Sequence, residues 1–212
     1  MKKNTFFLFA VYCLLSTLFL FSCGGGAGSP GSTGTEDTGV TVDATVTPLY
    51  LGENTYSVDT FRADCDPEPD TVDPEPYTDH NATLSLRARL INPNTTFPVG
   101  TLTVEKYTVE FRRASDSIGA PPIQSDTRYK TIVIPAPTGS GITTVEDTVI
   151  LVDLNRKEQY GADVTSGRYN SGTAYINTYT AVYTFKGKNE YGKDFTFKAQ
   201  TDFQIGSFDY CQ

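Results

Sequence analysis

The chain has 212 residues, 38% hydrophobic and 20% charged, with no Trp, a single His (His80) and a formal net charge of −8. It lacks the ligands for a haem carrier or a histidine-built zinc centre, leaves only His80 as the base of a Ser/His triad, and carries an acidic surface that repels nucleic acid. No G-x-S-x-G, H-E-x-x-H, Walker or C-x-x-C motif is present, so the reading is of a non-enzymatic protein with no resident cofactor.

Lys2 and Lys3 precede an uncharged run from Thr5 to Ser22 dominated by Phe and Leu, the pattern of a secretory signal. Leu20-Phe21-Ser22-Cys23 closes that run, Gly24-Gly25-Gly26 follows at once, and no basic stop-transfer cluster flanks it. These residues resemble the lipobox of bacterial lipoproteins, with Phe21 standing where that family usually has a small or β-branched residue. The resemblance implies that residues 1–22 are cleaved and that Cys23 becomes the lipidated first residue. Two or three acyl chains at about 0.8 kcal/mol per buried methylene would hold the protein on a bilayer. Gly24, where an Asp would favour the inner membrane, implies an outer-membrane anchor facing either periplasm or exterior. Removal of Lys2 and Lys3 leaves 15 basic against 25 acidic residues, a net charge of −10.

Residues 24–39 contain seven glycines and no large apolar side chain, so 23–39 reads as a lipidated Cys and a flexible Gly/Ser linker. A coil of that length spans roughly 20–24 Å.

From Val40 the hydrophobic period becomes two. Val40, Val42, Ala44 and Val46 alternate with polar residues up to Pro48, and Ala82, Leu84, Leu86, Ala88 and Leu90 do so up to Asn92-Pro93-Asn94. Further strands are predicted over 55–61, 102–112, 127–134, 145–154, 173–186 and 194–205, with a hairpin loop at 188–192. Only 155–161 reads as a short helix, and the loops fall chiefly at 62–80, 92–100, 113–126 and 135–144. Eight short strands without a long helical period predict an all-β domain over 40–212, an antiparallel β-sandwich. The runs LSLRARLINPNT, LTVEKYTVEFRR and TAVYTFKGKNEYGKDFTFKAQTDF resemble the strands of immunoglobulin-like or fibronectin type III modules of bacterial surface proteins. That resemblance implies an architecture and no activity.

Beyond the leader and Cys23, the cysteines are Cys65 and Cys211. An oxidising compartment favours their pairing, which would close a loop of about 150 residues and stabilise the fold by on the order of 5 kcal/mol. After Cys65 the sequence DPEPDTVDPEPYTD repeats Asp-Pro-Glu-Pro. Asp64, Asp66, Glu68, Asp70, Asp73, Glu75 and Asp79 place seven carboxylates within 16 residues. Such oxygens suit Ca²⁺, although the EF-hand register is absent; a solvated acidic loop is the plainer expectation. Tyr175, Tyr179 and Tyr183 form an even-spaced stripe that either fills the inner face of a sheet or supplies an interface.

Two functions follow as expectations. One is a lipid-anchored binding or assembly module that engages another envelope protein through loops or a sheet edge. The alternative is a calcium- or carbohydrate-binding surface module built on the acidic loop 64–79. An exposed tyrosine stripe would favour the second; a buried one, with a flat uncovered edge strand, would favour the first.

Overall fold

The structure, a computed structural model, describes residues 33–49, 57–61, 77–96, 98–169 and 176–208. The signal-like run, Cys23, Cys65, Cys211, Tyr175 and, of the acidic segment, Asp64, Asp66, Glu68, Asp70, Asp73 and Glu75 lie outside the described residues. The described chain forms β1 (Thr33–Gly34), β2 (Val40–Pro48), β3 (Ser57–Asp59), β4 (His80–Leu90), β5 (Leu102–Arg113), β6 (Asp126–Ile134), β7 (Ile142–Val152), α1 (Leu154–Thr165), β8 (Asn177–Asn189) and β9 (Asp194–Gly206). The expected all-β fold is therefore present, with one helix and two isolated 3-10 turns among the described residues.

The strands make two layers. One sheet has the order β1-β9-β8-β5-β6, with β3 added parallel to β9; the other is β2-β4-β7, antiparallel throughout. Val42, Val46, Ala82, Leu84, Leu86 and Ala88 of the small sheet are buried against Tyr183, Phe185, Phe197, Ala199 and Phe203 of the large one. This is the period-two pattern doing what burial of one face demands. Phe185 and Phe197 stack at 4.9 Å between ring centroids in the middle of the layer. Gly187 permits the closest backbone approach: a Cβ there would collide with the Thr103 carbonyl on β5.

The described tyrosines of the stripe, Tyr179 and Tyr183, face inward beside Tyr107. Tyr107, Tyr179 and Tyr183 are buried, and two of their hydroxyls cross the layer to β7. Tyr183 donates to the Ile150 carbonyl at 3.0 Å and Tyr107 accepts from the Ile150 N–H at 3.1 Å. The register of β4 against β7 shifts between His80 and Asn81, a bulge of the kind that turns a strand locally. A strand edge that would otherwise need water is thus satisfied by phenols, which pins the two sheets together.

Several boundaries differ from the sequence expectation. Thr33–Gly34, inside the predicted linker, pairs with Phe197 and Thr196 of β9. Of the strand predicted at 55–61, residues 57–61 are described, and β3 occupies Ser57–Asp59. His80 opens β4 rather than ending a loop, and β8 continues through Lys186–Asn189 so that the hairpin turn narrows to 190–193, with Gly192 at φ +80°. The helix runs past Gly161 to Thr165. Among the described residues no helix is long and apolar enough to cross a membrane.

Candidate functional site at the helix end

The strand registers give the sandwich two ends. The chain enters through β1 beside Phe197, near the β8–β9 hairpin, whereas β3, the start of β4 and α1 gather at the opposite end of the strands. The candidate site lies at this far end.

Helix α1 is fixed by its caps. Asp153 is the N-cap and accepts from the Arg156 N–H at 2.9 Å, while Asp79 accepts from the Leu154 N–H at 2.7 Å. Carboxylates at these positions satisfy first-turn donors and complement the helix dipole. Gly167, at φ +67°, ends the helix as Ser166 N–H returns to the Ala162 carbonyl. Gly161 lets α1 settle on β3: a Cβ there would stand 2.9 Å from the Thr60 carbonyl oxygen.

Two polar groups of opposite character flank the helix. On one side Asp126, Arg128, Asp153 and Arg156 form a closed quartet. Arg128 pairs with Asp126 and, at 2.5 Å, with Asp153, and Arg156 reaches Asp153 at 2.5 Å and Asp126 at 3.4 Å. Arg156 also donates to the Gln124 and Ser125 carbonyls at 2.8 and 2.7 Å, which ties the approach to β6 onto the helix. On the other side Lys157 and His80 are buried. Lys157 Nζ donates to the Thr78 carbonyl at 3.0 Å and lies 4.2 Å from the centre of the Tyr77 ring, a cation–π contact. Neither His80 nitrogen has a hydrogen-bond partner among the described residues. Burial first, then the Lys157 charge, lowers the His80 pKa to about 4; a backbone approach from Leu49, short of hydrogen-bond geometry, opposes the shift. At neutral pH this imidazole is uncharged.

Each side of α1 also carries an open cleft. The first, of about 450 Å³, is lined by Thr60, Phe61, Tyr77, Ala162, Val164 and Ser207 among others and is mainly apolar; Phe61 is 57% exposed on it. The second, of about 430 Å³, is more polar and includes Gln124, Asn155, Gln159, Asp163 and Arg168. His80 and Lys157 line neither.

Of the carboxylates predicted to bind calcium, Asp79 is the one described, and its Oδ1 is engaged by the helix N-terminus. Among the described residues no group of three or more His, Cys, Asp or Glu is placed to hold a metal ion. The acidic segment nevertheless leaves and rejoins the described chain at Phe61 and Tyr77, which both line the apolar cleft. The stretches leading to Cys65 and Cys211 also emerge side by side. Asp59 Oδ1 accepts from both the Phe61 N–H at 3.1 Å and the Phe208 N–H at 3.0 Å, and Thr60 N–H donates to the Gly206 carbonyl at 2.8 Å.

Sequence reading missed the quartet and the buried Lys157. A signal for the helix was present in Asp153 three residues before Arg156, but nothing local shows which strand its face meets. No protein-family model matches the chain, and no curated protein matches it. The X-ray structure of Northeast Structural Genomics Consortium target SoR45 is similar over 81% of this chain and 89% of its own, at 10% identity and a TM-score of 0.29.

Proposed function

We propose that this chain is an outer-membrane lipoprotein whose sandwich, read as immunoglobulin-like, is a non-enzymatic binding module engaging another envelope protein at the α1 end. The observation that carries this reading is the open apolar cleft around Phe61, Ala162 and Val164, set at the end of the sandwich away from β1. Apolar clefts of this size suit an inserted side chain or short segment of a partner. The burial of Tyr107, Tyr179 and Tyr183 supports the same choice, because those rings are committed to the core and not to a glycan platform. The test has two arms. Labelled palmitate enters the parent and not Cys23→Ser, and the Cys23→Ser protein leaves the membrane fraction. Partner capture from solubilised envelopes is then lost in Phe61→Asp and in Ala162→Glu while melting temperature is kept; capture undiminished by both variants would refute the cleft.

A second reading, a calcium- or carbohydrate-binding module, draws support from the position of Phe61 and Tyr77 at the two ends of the acidic segment. Absence of any melting shift at millimolar Ca²⁺ ends its calcium form. The clasp at Asp59 supports pairing of Cys65 with Cys211, with electrons passing to an exchanging disulfide. Thiol labelling of the mature protein without reductant would contradict that pairing.

A further inference from the structure

The end nearer β1 has its own chemistry. In β5 the register shifts between Val104 and Lys106, so Glu105 and Lys106 both face outward, as Lys106 must beside the inward Tyr107, although strict alternation from Val104 would turn Lys106 inward. The shift sets Lys106 directly opposite Lys186 of β8, whose neighbour on β9 is Thr196. Lys188 stands between Thr103 and Asp194, and Lys198 opposite Thr184, on the same outer face. Like charges directly opposed on a sheet are unfavourable without an anion beside them. The ion pairs nearby are weak: Lys188 and Asp194 are 3.9 Å apart, Lys193 and Asp37 3.6 Å, all well exposed; Glu105 is exposed, and Glu190 at the hairpin tip is turned to the Thr101 N–H at 3.3 Å. At the hairpin tip Tyr191, 59% exposed, adjoins this group beside Lys193.

The root of the chain lies on the same corner. Thr33 pairs with Phe197, next to Lys198, and lies ten Cα–Cα steps from Cys23, a reach of at most about 33–36 Å. The run of β9 from that point to Gly206 is itself roughly 30 Å. The lysine corner can therefore reach a bilayer with the tether slack, whereas turning the α1 end onto the bilayer, with the strands upright, takes the tether near full stretch. The acidic segment joins the described chain at that remote end, where an anionic surface repels it.

We infer that the outer face around Lys106, Lys186 and Lys188, with Lys193 and Tyr191 at the hairpin tip, docks on the net-anionic headgroups of the bilayer that holds the anchor. This rests on the lipid-anchor reading. Docking stands the sandwich with its α1 end outward, and Tyr191 supplies the amphipathic ring that headgroup regions favour.

The test reconstitutes the full acylated protein in vesicles of phosphatidylcholine alone or mixed with phosphatidylglycerol, and measures lysine acetylation by mass spectrometry. Labelling of Lys186, Lys188 and Lys193 is expected to fall about fivefold in the anionic vesicles, the factor of one basic residue at such a surface, and to recover in high salt. Lys130, paired with Asp147 at 2.8 Å, serves as the unchanged control. The variant K106Q/K186Q/K188Q, altered only on the surface, loses the difference at Lys193. Protein that floats with both vesicles but labels equally in both overturns the docking alone. Protein that floats with neither overturns the anchor, and the docking with it.

Discussion

The two ends of this sandwich use charge in opposite ways. At the α1 end Arg128 and Arg156 are locked to Asp126 and Asp153, and Asp79 and Asp153 are spent on the helix N-terminus. At the hairpin end Lys106 faces Lys186, and the ion pairs of Lys188 and Lys193 are long and solvated. Tightly paired charge builds architecture; weakly paired charge on an exposed face can exchange its partners for an outside anion.

The comparison is broken most severely by acid at His80, on one flank of the helix. His80 titrates near 4 when folded and near 6.5 when unfolded, so its neutral burial stabilises the protein fully above pH 6.5. That contribution, about 3 kcal/mol, is lost as pH falls from 6.5 towards 4, because the unfolded chain takes up the proton first. In His80→Leu the part of the pH dependence in that window should disappear. An unchanged slope between the two proteins would show that another group governs it.

Asp153 tests the other flank of the helix. Asp153→Ala removes the N-cap and leaves Arg128 and Arg156 to share Asp126, and a loss of about 2 kcal/mol is expected in denaturant unfolding. A cost as small as that of a surface residue would mean that the quartet is not a clamp.

Smaller effects sharpen the contrast. Tyr183→Phe leaves the Ile150 carbonyl without its phenol and should cost about 1 kcal/mol, read as a lower urea midpoint at constant m-value. Lys193→Ala, at a pair 3.6 Å apart and exposed, should stay within about 0.5 kcal/mol of the parent. A larger loss would make the hairpin end structural and weaken its assignment as a contact surface.

Much of the fold was legible because burial of one sheet face imposes period two on the residues themselves. Ala82 to Ala88 and Phe195 to Ile205 carry that pattern openly. What sequence did not show depends on partners far along the chain. Gly161 reads as a helix end until Thr60 is seen packed against it, and the helix then needs a glycine in its interior. Thr33–Gly34 reads as linker because a two-residue strand has no period of its own; its order comes from β9. The lysine corner was hidden by a bulge that reverses the facing of Lys106, and the cleft by the meeting of β3, α1 and the end of β9. The tyrosine stripe announced its spacing but not its side, which the burial of Tyr179 and Tyr183 and their hydroxyl contacts at the Pro121 and Ile150 carbonyls decide.

The most direct test of the account places a photo-crosslinking side chain at Phe61 or at Lys188 in otherwise intact envelopes. The account predicts a discrete protein adduct from position 61 and lipid adducts without a protein partner from position 188. A protein adduct from 188 with none from 61 would contradict it.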